Sequence, residues 1–180
     1  MIKAGISRMS RILTIYHLFA NCREVSIREV VPAVSHRTFL RDLQLLENAG
    51  VLKTGFSKKD NAYIPLELKP FEPNLPEGKP QRDYIEKIRR LCILMNELYD
   101  FEDEERPLHI ELYQELFPNV HVRTRQRDFA ELAKLGFTSR RYIDYIFEDE
   151  DDYDGKEKLF YKFETPDGAY DLETIEEGEW

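Results

Sequence analysis

A mainly helical α+β chain, built as two similar halves, is what this 180-residue sequence predicts. Three observations carry that expectation. Apolar residues recur at helical spacing in several segments and at period two in others. The segment from Val34 to Gly50 returns from Val120 to Gly136. Arg37-Thr38 reappears as Arg123-Thr124, Arg41-Asp42 as Arg127-Asp128, and Leu46 as Leu132, each at an offset of 86 positions. Between the halves, Pro70, Pro73, Pro76, Pro80 and Gly78 leave no room for a helix or a central strand, so this stretch reads as a semi-stiff linker. The expected organisation is a first domain over 1–66, a linker over 67–82, a second domain over 83–175 and a tail over 176–180.

The elements follow in order. Ile12, Ile15, Leu18 and Phe19 predict a helix from Met9 to Phe19. Ser26 and Glu29 form a capping box for a short helix, Ile27 to Val31, which Pro32 ends or kinks. Ser35 is a good N-cap for a third helix. Phe39, Leu43 and Leu46 form its apolar face, and Gly50 supplies the stop. Period-two segments, Val51 to Phe56 and Ala62 to Leu66, then flank the turn Ser57 to Asn61. Three helices followed by a β-hairpin is the order of a winged helix.

The second half repeats this order. A long helix, Arg82 to Tyr99, aligns with the first helix at an offset of 79, which assigns seven extra residues to the loop Asp100 to Arg106. Leu108 to Leu116 reads as the short helix. Tyr142 to Phe147 and Leu159 to Phe163 read as wing strands around the acidic run Glu148 to Asp154. Thr165 to Gly168 marks a turn, Ala169 to Ile175 a further strand, and Glu176 to Trp180 a frayed tail.

Charge is unevenly placed. The net charge is −9, yet residues 1–63 carry +5 and residues 142–180 carry −12. A basic first third suits a polyanionic partner despite the acidic total. No window approaches the roughly 18 apolar residues of a membrane span. The N-terminus lacks the apolar centre of a signal peptide, and the two cysteines, Cys22 and Cys92, fit a reducing compartment. A cytoplasmic location is expected, with Cys92 as a buried thiol. His17, His36, His109 and His121 are scattered, and no Cys/His cluster has zinc spacing. The acidic run lacks the spaced ligands of a calcium loop. With no Gly-rich phosphate loop and no nucleophile elbow, neither an enzymatic activity nor a cofactor is expected.

The chemistry concentrates on the third helix. Arg37 and Arg41 lie one turn apart and can face one groove. An arginine can grip guanine O6 and N7 with two hydrogen bonds, or clamp a phosphate. Ser35, His36 and Thr38 sit at the helix N-terminus, where hydroxyls and the dipole favour a phosphate. Lys58 and Lys59 sit at the hairpin turn, suited to phosphate or minor-groove contact. Asp42 is assigned to an intramolecular pair with a neighbouring arginine. The motif Val34-Ser35-x-Arg37-Thr38-x-x-Arg41-Asp42, followed by Leu46 and Gly50, resembles the recognition helix of winged helix-turn-helix regulators of the DeoR and WYL-domain type. The resemblance covers about residues 8–66 and, more weakly, 84–163. It implies sequence-specific binding of double-stranded DNA and transcriptional control. The chain departs from those families in lacking the sensor domain they usually carry, so the resemblance names no effector.

The second copy offers Arg123, Thr124 and Arg127 as further DNA-contacting residues. Arg125 stands where Phe39 stands in the first copy, so either it snorkels or the helix is rotated. Six acidic residues in the seven positions Glu148 to Asp154 oppose a DNA-facing wing. The acidic hairpin then either points away from DNA or belongs to a surface for dimerisation or partner binding. Aromatic residues on both faces of that hairpin favour a homodimer. The competing expectation is a protein-interaction module, like the acidic tandem winged-helix subunits of chromosome-segregation complexes.

Overall fold

The computed structural model describes residues 7–21, 34–99, 109–134, 138–146 and 156–164. The chain is α+β and mainly helical, with two two-stranded antiparallel sheets among the described residues. It divides into two compact units, Met1–Asp100 and Phe101–Trp180.

In the first unit α1 spans Arg8–Asn21 and α2 spans His36–Asn48. β1 is Lys53–Ser57, β2 is Ala62–Glu67, and α3 is Lys79–Tyr99. The core forms where the three helices meet. Ile12, Leu13, Ile15, Phe19, Phe39, Leu46, Ile88, Leu91 and Leu94 are all buried within it. Ser35 caps α2 as its sequence predicts, its Oγ accepting from the Thr38 N–H at 3.3 Å. Cys92 is buried, and burial pushes its thiol pKa up, which makes it an inert packing group.

The hairpin closes on a tight turn. Ser57 Oγ donates to Asp60 Oδ2 at 2.5 Å, and Asn61 takes a left-handed φ of 51°. Pro65 pairs with Thr54 where the register shifts between Lys53 and Thr54. A residue without an N–H is tolerated there because the ladder is already interrupted. Tyr63 then fastens the hairpin to α2. Its ring lies 5.4 Å from Phe39 and 5.1 Å from Phe56.

Two findings differ from the expected organisation. The proline-rich segment is tied down. Phe71 N–H donates to the Gly50 carbonyl at 2.9 Å, and Asn74 N–H donates to the Asn48 carbonyl at 2.8 Å. Proline density prevents regular structure but leaves these donors free to bind the exposed C-terminal carbonyls of α2. Moreover, α3 packs on α1 and α2, inside the first unit. Ile85, Ile88, Leu91, Cys92, Leu94 and Met95 are buried, so α3 completes this core. The boundary between compact units therefore falls at Asp100 instead of near residue 82.

The second unit contains α4, His109–Leu116, and α5, Val122–Lys134, followed by β3, Thr138–Ile146, and β4, Lys156–Glu164. Tyr113 and Leu132 are buried, and the Tyr113 ring lies 5.2 Å from Phe117 and 5.7 Å from Phe129. β3 and β4 pair antiparallel from Thr138↔Glu164 to Ile146↔Lys156; β3 starts before the expected Tyr142, and β4 extends past the expected Leu159 and Phe163 at both ends. The expected helix Ile27 to Val31, the loop Asp100 to Arg106, the acidic run Glu148 to Asp154, the strand Ala169 to Ile175 and Cys22 lie outside the described residues, as do the side chains of the second hairpin.

Both 13-residue helices, α2 and α5, begin and end at positions 86 apart. Asp42 and Asp128 are each 1% exposed, and Leu46 and Leu132 are likewise buried. The caps differ in chemistry. Where Ser35 caps α2 with a hydroxyl, His121 Nδ1 accepts from the Arg123 N–H at 3.1 Å. Among the described residues no helix is long and apolar enough to cross a membrane.

Candidate nucleic-acid interface

The exposed side of α2 is built by one periodicity. Arg37, Leu40, Arg41 and Gln44 stand at i, i+3, i+4 and i+7 and are all exposed. The opposite side, Phe39, Asp42, Leu43 and Leu46, is buried. The interleaving of the two sets rotates the arginines outward. Among the described residues neither Arg37 nor Arg41 has an ion-pair partner, so both guanidinium groups keep their donors for a ligand.

Asp42 lies inside and does not compete with that face. Arg11 Nε donates to its Oδ2 at 2.5 Å and Arg11 Nη2 to its Oδ1 at 3.3 Å. The hydrogen bond that Arg11 donates to Asp42 is the main reason the Arg11 pKa is raised, against a smaller lowering by burial. Arg8 stands 4.0 Å from the same carboxylate, and its guanidinium lies 5.6 Å from the Tyr84 ring centroid. A groove beside α2 is lined by Arg8, Arg11, Thr38, Arg41 and Gln44. Its positive charge exceeds what Asp42 neutralises.

The N-terminal residues are partly engaged already. Ser35 Oγ and Thr38 Oγ1 share a hydrogen bond of 3.0 Å. Their first role is therefore the cap, and any phosphate contact has to share those hydroxyls. His36 Nε2 lies 3.3 Å from the Tyr63 hydroxyl, which joins the start of α2 to the hairpin. Lys58 and Lys59 are exposed on the hairpin turn.

The far end of α2 is held by a residue that spacing alone did not reveal. Arg89 Nη1, from α3, donates to three carbonyls: Ala49 at 2.8 Å, Gly50 at 2.9 Å and Phe71 at 2.8 Å. A cation here also complements the negative end of the helix dipole. Gly50 has φ +65°, and a Cβ there would meet the Phe71 carbonyl oxygen at 2.4 Å. Its glycine satisfies both the left-handed backbone and the close approach. Arg8 is a further residue of this groove outside the recognition-helix motif. Its sequence signal is its position three residues before Arg11, one helical turn away on the same face.

In the second unit Arg123 and Arg127 are exposed on α5 and Thr124 is half-buried. Arg125 is half-buried at the position of Phe39, and Tyr113 and Phe129 supply the aromatic packing. Asp128 accepts from the Tyr113 hydroxyl at 2.8 Å. The inward aspartate thus recurs with a different partner. No family model matches the chain, and no curated protein matches it.

Proposed function

We propose that this chain is a cytoplasmic, sequence-specific DNA-binding regulator of transcription, built on two winged helix-turn-helix units and acting without a catalytic step or a cofactor. In this reading α2 is the recognition helix. Arg37 and Arg41 read base edges or clamp phosphates. Ser35, His36 and Thr38 contact backbone at the helix start, and Lys58 and Lys59 contact it from the wing. The observation that carries the reading is the division of charge on α2: Arg37 and Arg41 are exposed and have no ion-pair partner among the described residues, while Asp42 is turned inward onto Arg11. The resemblance to DeoR and WYL-type recognition helices supports it. The second unit serves homodimerisation, or adds DNA contacts through Arg123, Thr124 and Arg127.

The competing reading is a protein-interaction module, favoured by the exposed Phe56 and Leu66 on the hairpin. Selection of duplexes from a random pool by the full chain separates the two. Enrichment of a defined sequence supports the regulator, and a pool that stays random supports a protein partner.

A further inference from the structure

Leu40 is the exception on the exposed face of α2. It is 42% exposed, while its neighbours on the same stripe, Arg37, Arg41 and Gln44, are polar. It sits one helical turn from Arg37 and next to Arg41. An aliphatic side chain ringed by cationic donors suits a polyanionic partner that carries a small apolar group at its centre. The major groove of duplex DNA is such a partner. Phosphates flank it, guanine offers O6 and N7 to arginine, and the thymine C5-methyl is the apolar feature among the base edges. The amide nitrogen of Gln44 donates within the helix, to Asn48 Oδ1 at 3.2 Å and Glu47 Oε2 at 3.5 Å, and Gln44 lies a further turn from Arg37. Leu40 is therefore the next group on the stripe able to add discrimination beyond the arginines.

We infer that Leu40 is a specificity-determining residue that contacts the 5-methyl group of a thymine lying between the bases or phosphates held by Arg37 and Arg41. The inference rests on the DNA-binding reading of α2 and adds to it a base identity. It places a thymine, flanked by arginine contacts, in each site the chain recognises.

Removal of one methyl group tests it. In a duplex enriched by the full chain, each thymine is replaced in turn by deoxyuridine, which leaves base pairing and charge unchanged. At one position the substitution weakens binding of the wild-type chain about fourfold, the worth of one methyl-sized contact. Leu40→Ala, an exposed substitution to a strong helix former, keeps the fold and erases that difference: it binds thymine and uracil duplexes alike. Uracil tolerated at every position by the wild-type chain overturns the inference while leaving DNA binding intact. So does a uracil effect that persists in Leu40→Ala. Failure to enrich any duplex overturns the DNA-binding reading itself, and this inference with it.

Discussion

Arg11 and Asp42 lock α1 to α2 through a two-contact pair, 2.5 Å and 3.3 Å long, around a carboxylate that is 1% exposed. The pair has two effects. It fixes the rotation of α2 about its axis, and it removes the one acidic side chain of the Arg41-Asp42 motif from the outer face. Breaking a buried pair by deleting one partner leaves an uncompensated charge. Asp42→Ala is therefore expected to destabilise the first unit by about 3 kcal/mol in urea unfolding. Asp42→Asn, which keeps an acceptor oxygen, loses less.

The C-terminal end of α2 gives a second expectation. Arg89→Gln removes a cation from three carbonyls and is expected to lower stability by about 2 kcal/mol. Gly50→Ala forces a side chain into a left-handed backbone and against the Phe71 carbonyl. Its penalty is expected to equal or exceed that of Arg89→Gln. Thermal unfolding of the two variants and of their combination checks this. The shared carbonyls predict that the double variant falls short of the sum.

Packing of α3 sets the smallest piece that folds. Fragment 1–66 lacks the helix that packs on both α1 and α2, and is expected to be disordered by near-ultraviolet circular dichroism. Fragment 1–100 is expected to unfold cooperatively.

His17 supplies a pH dependence. It is buried, and desolvation lowers its pKa below the ordinary 6.5. The unfolded chain then binds a proton more readily than the folded one. Its contribution to stability is present above pH 6.5 and is lost as pH falls toward the lowered folded-state value. Unfolding midpoints measured from pH 8 to pH 5 are expected to fall for the wild-type chain. The fall is expected to be shallower for His17→Gln.

The amphipathic elements were legible because single periodicities generate them. Phe39, Leu43 and Leu46 placed α2 to within a residue of its ends, and the 86-position repeat foretold that α5 would share its bounds. The inward role of Asp42 was legible from the conflict between a carboxylate and a basic face. The place of α3 was not. An apolar stripe says that a helix must be covered, but not by which neighbour, and alignment with α1 suggested a different one. The clamp at Arg89 was hidden for a related reason. Its three acceptors are backbone carbonyls, which every residue possesses, so only the fold brings them together.

The proposed role of α2 is to read duplex DNA with its outer face. It is tested most directly by titrating the full chain against its selected duplex over a range of salt, with Arg41→Ala and Lys58→Ala alongside. Log affinity is expected to fall linearly with log salt. Arg41→Ala loses about 1–3 kcal/mol on the selected duplex alone, and Lys58→Ala loses affinity uniformly across sequences. Absence of binding to any duplex at low salt, with both variants folded, contradicts it.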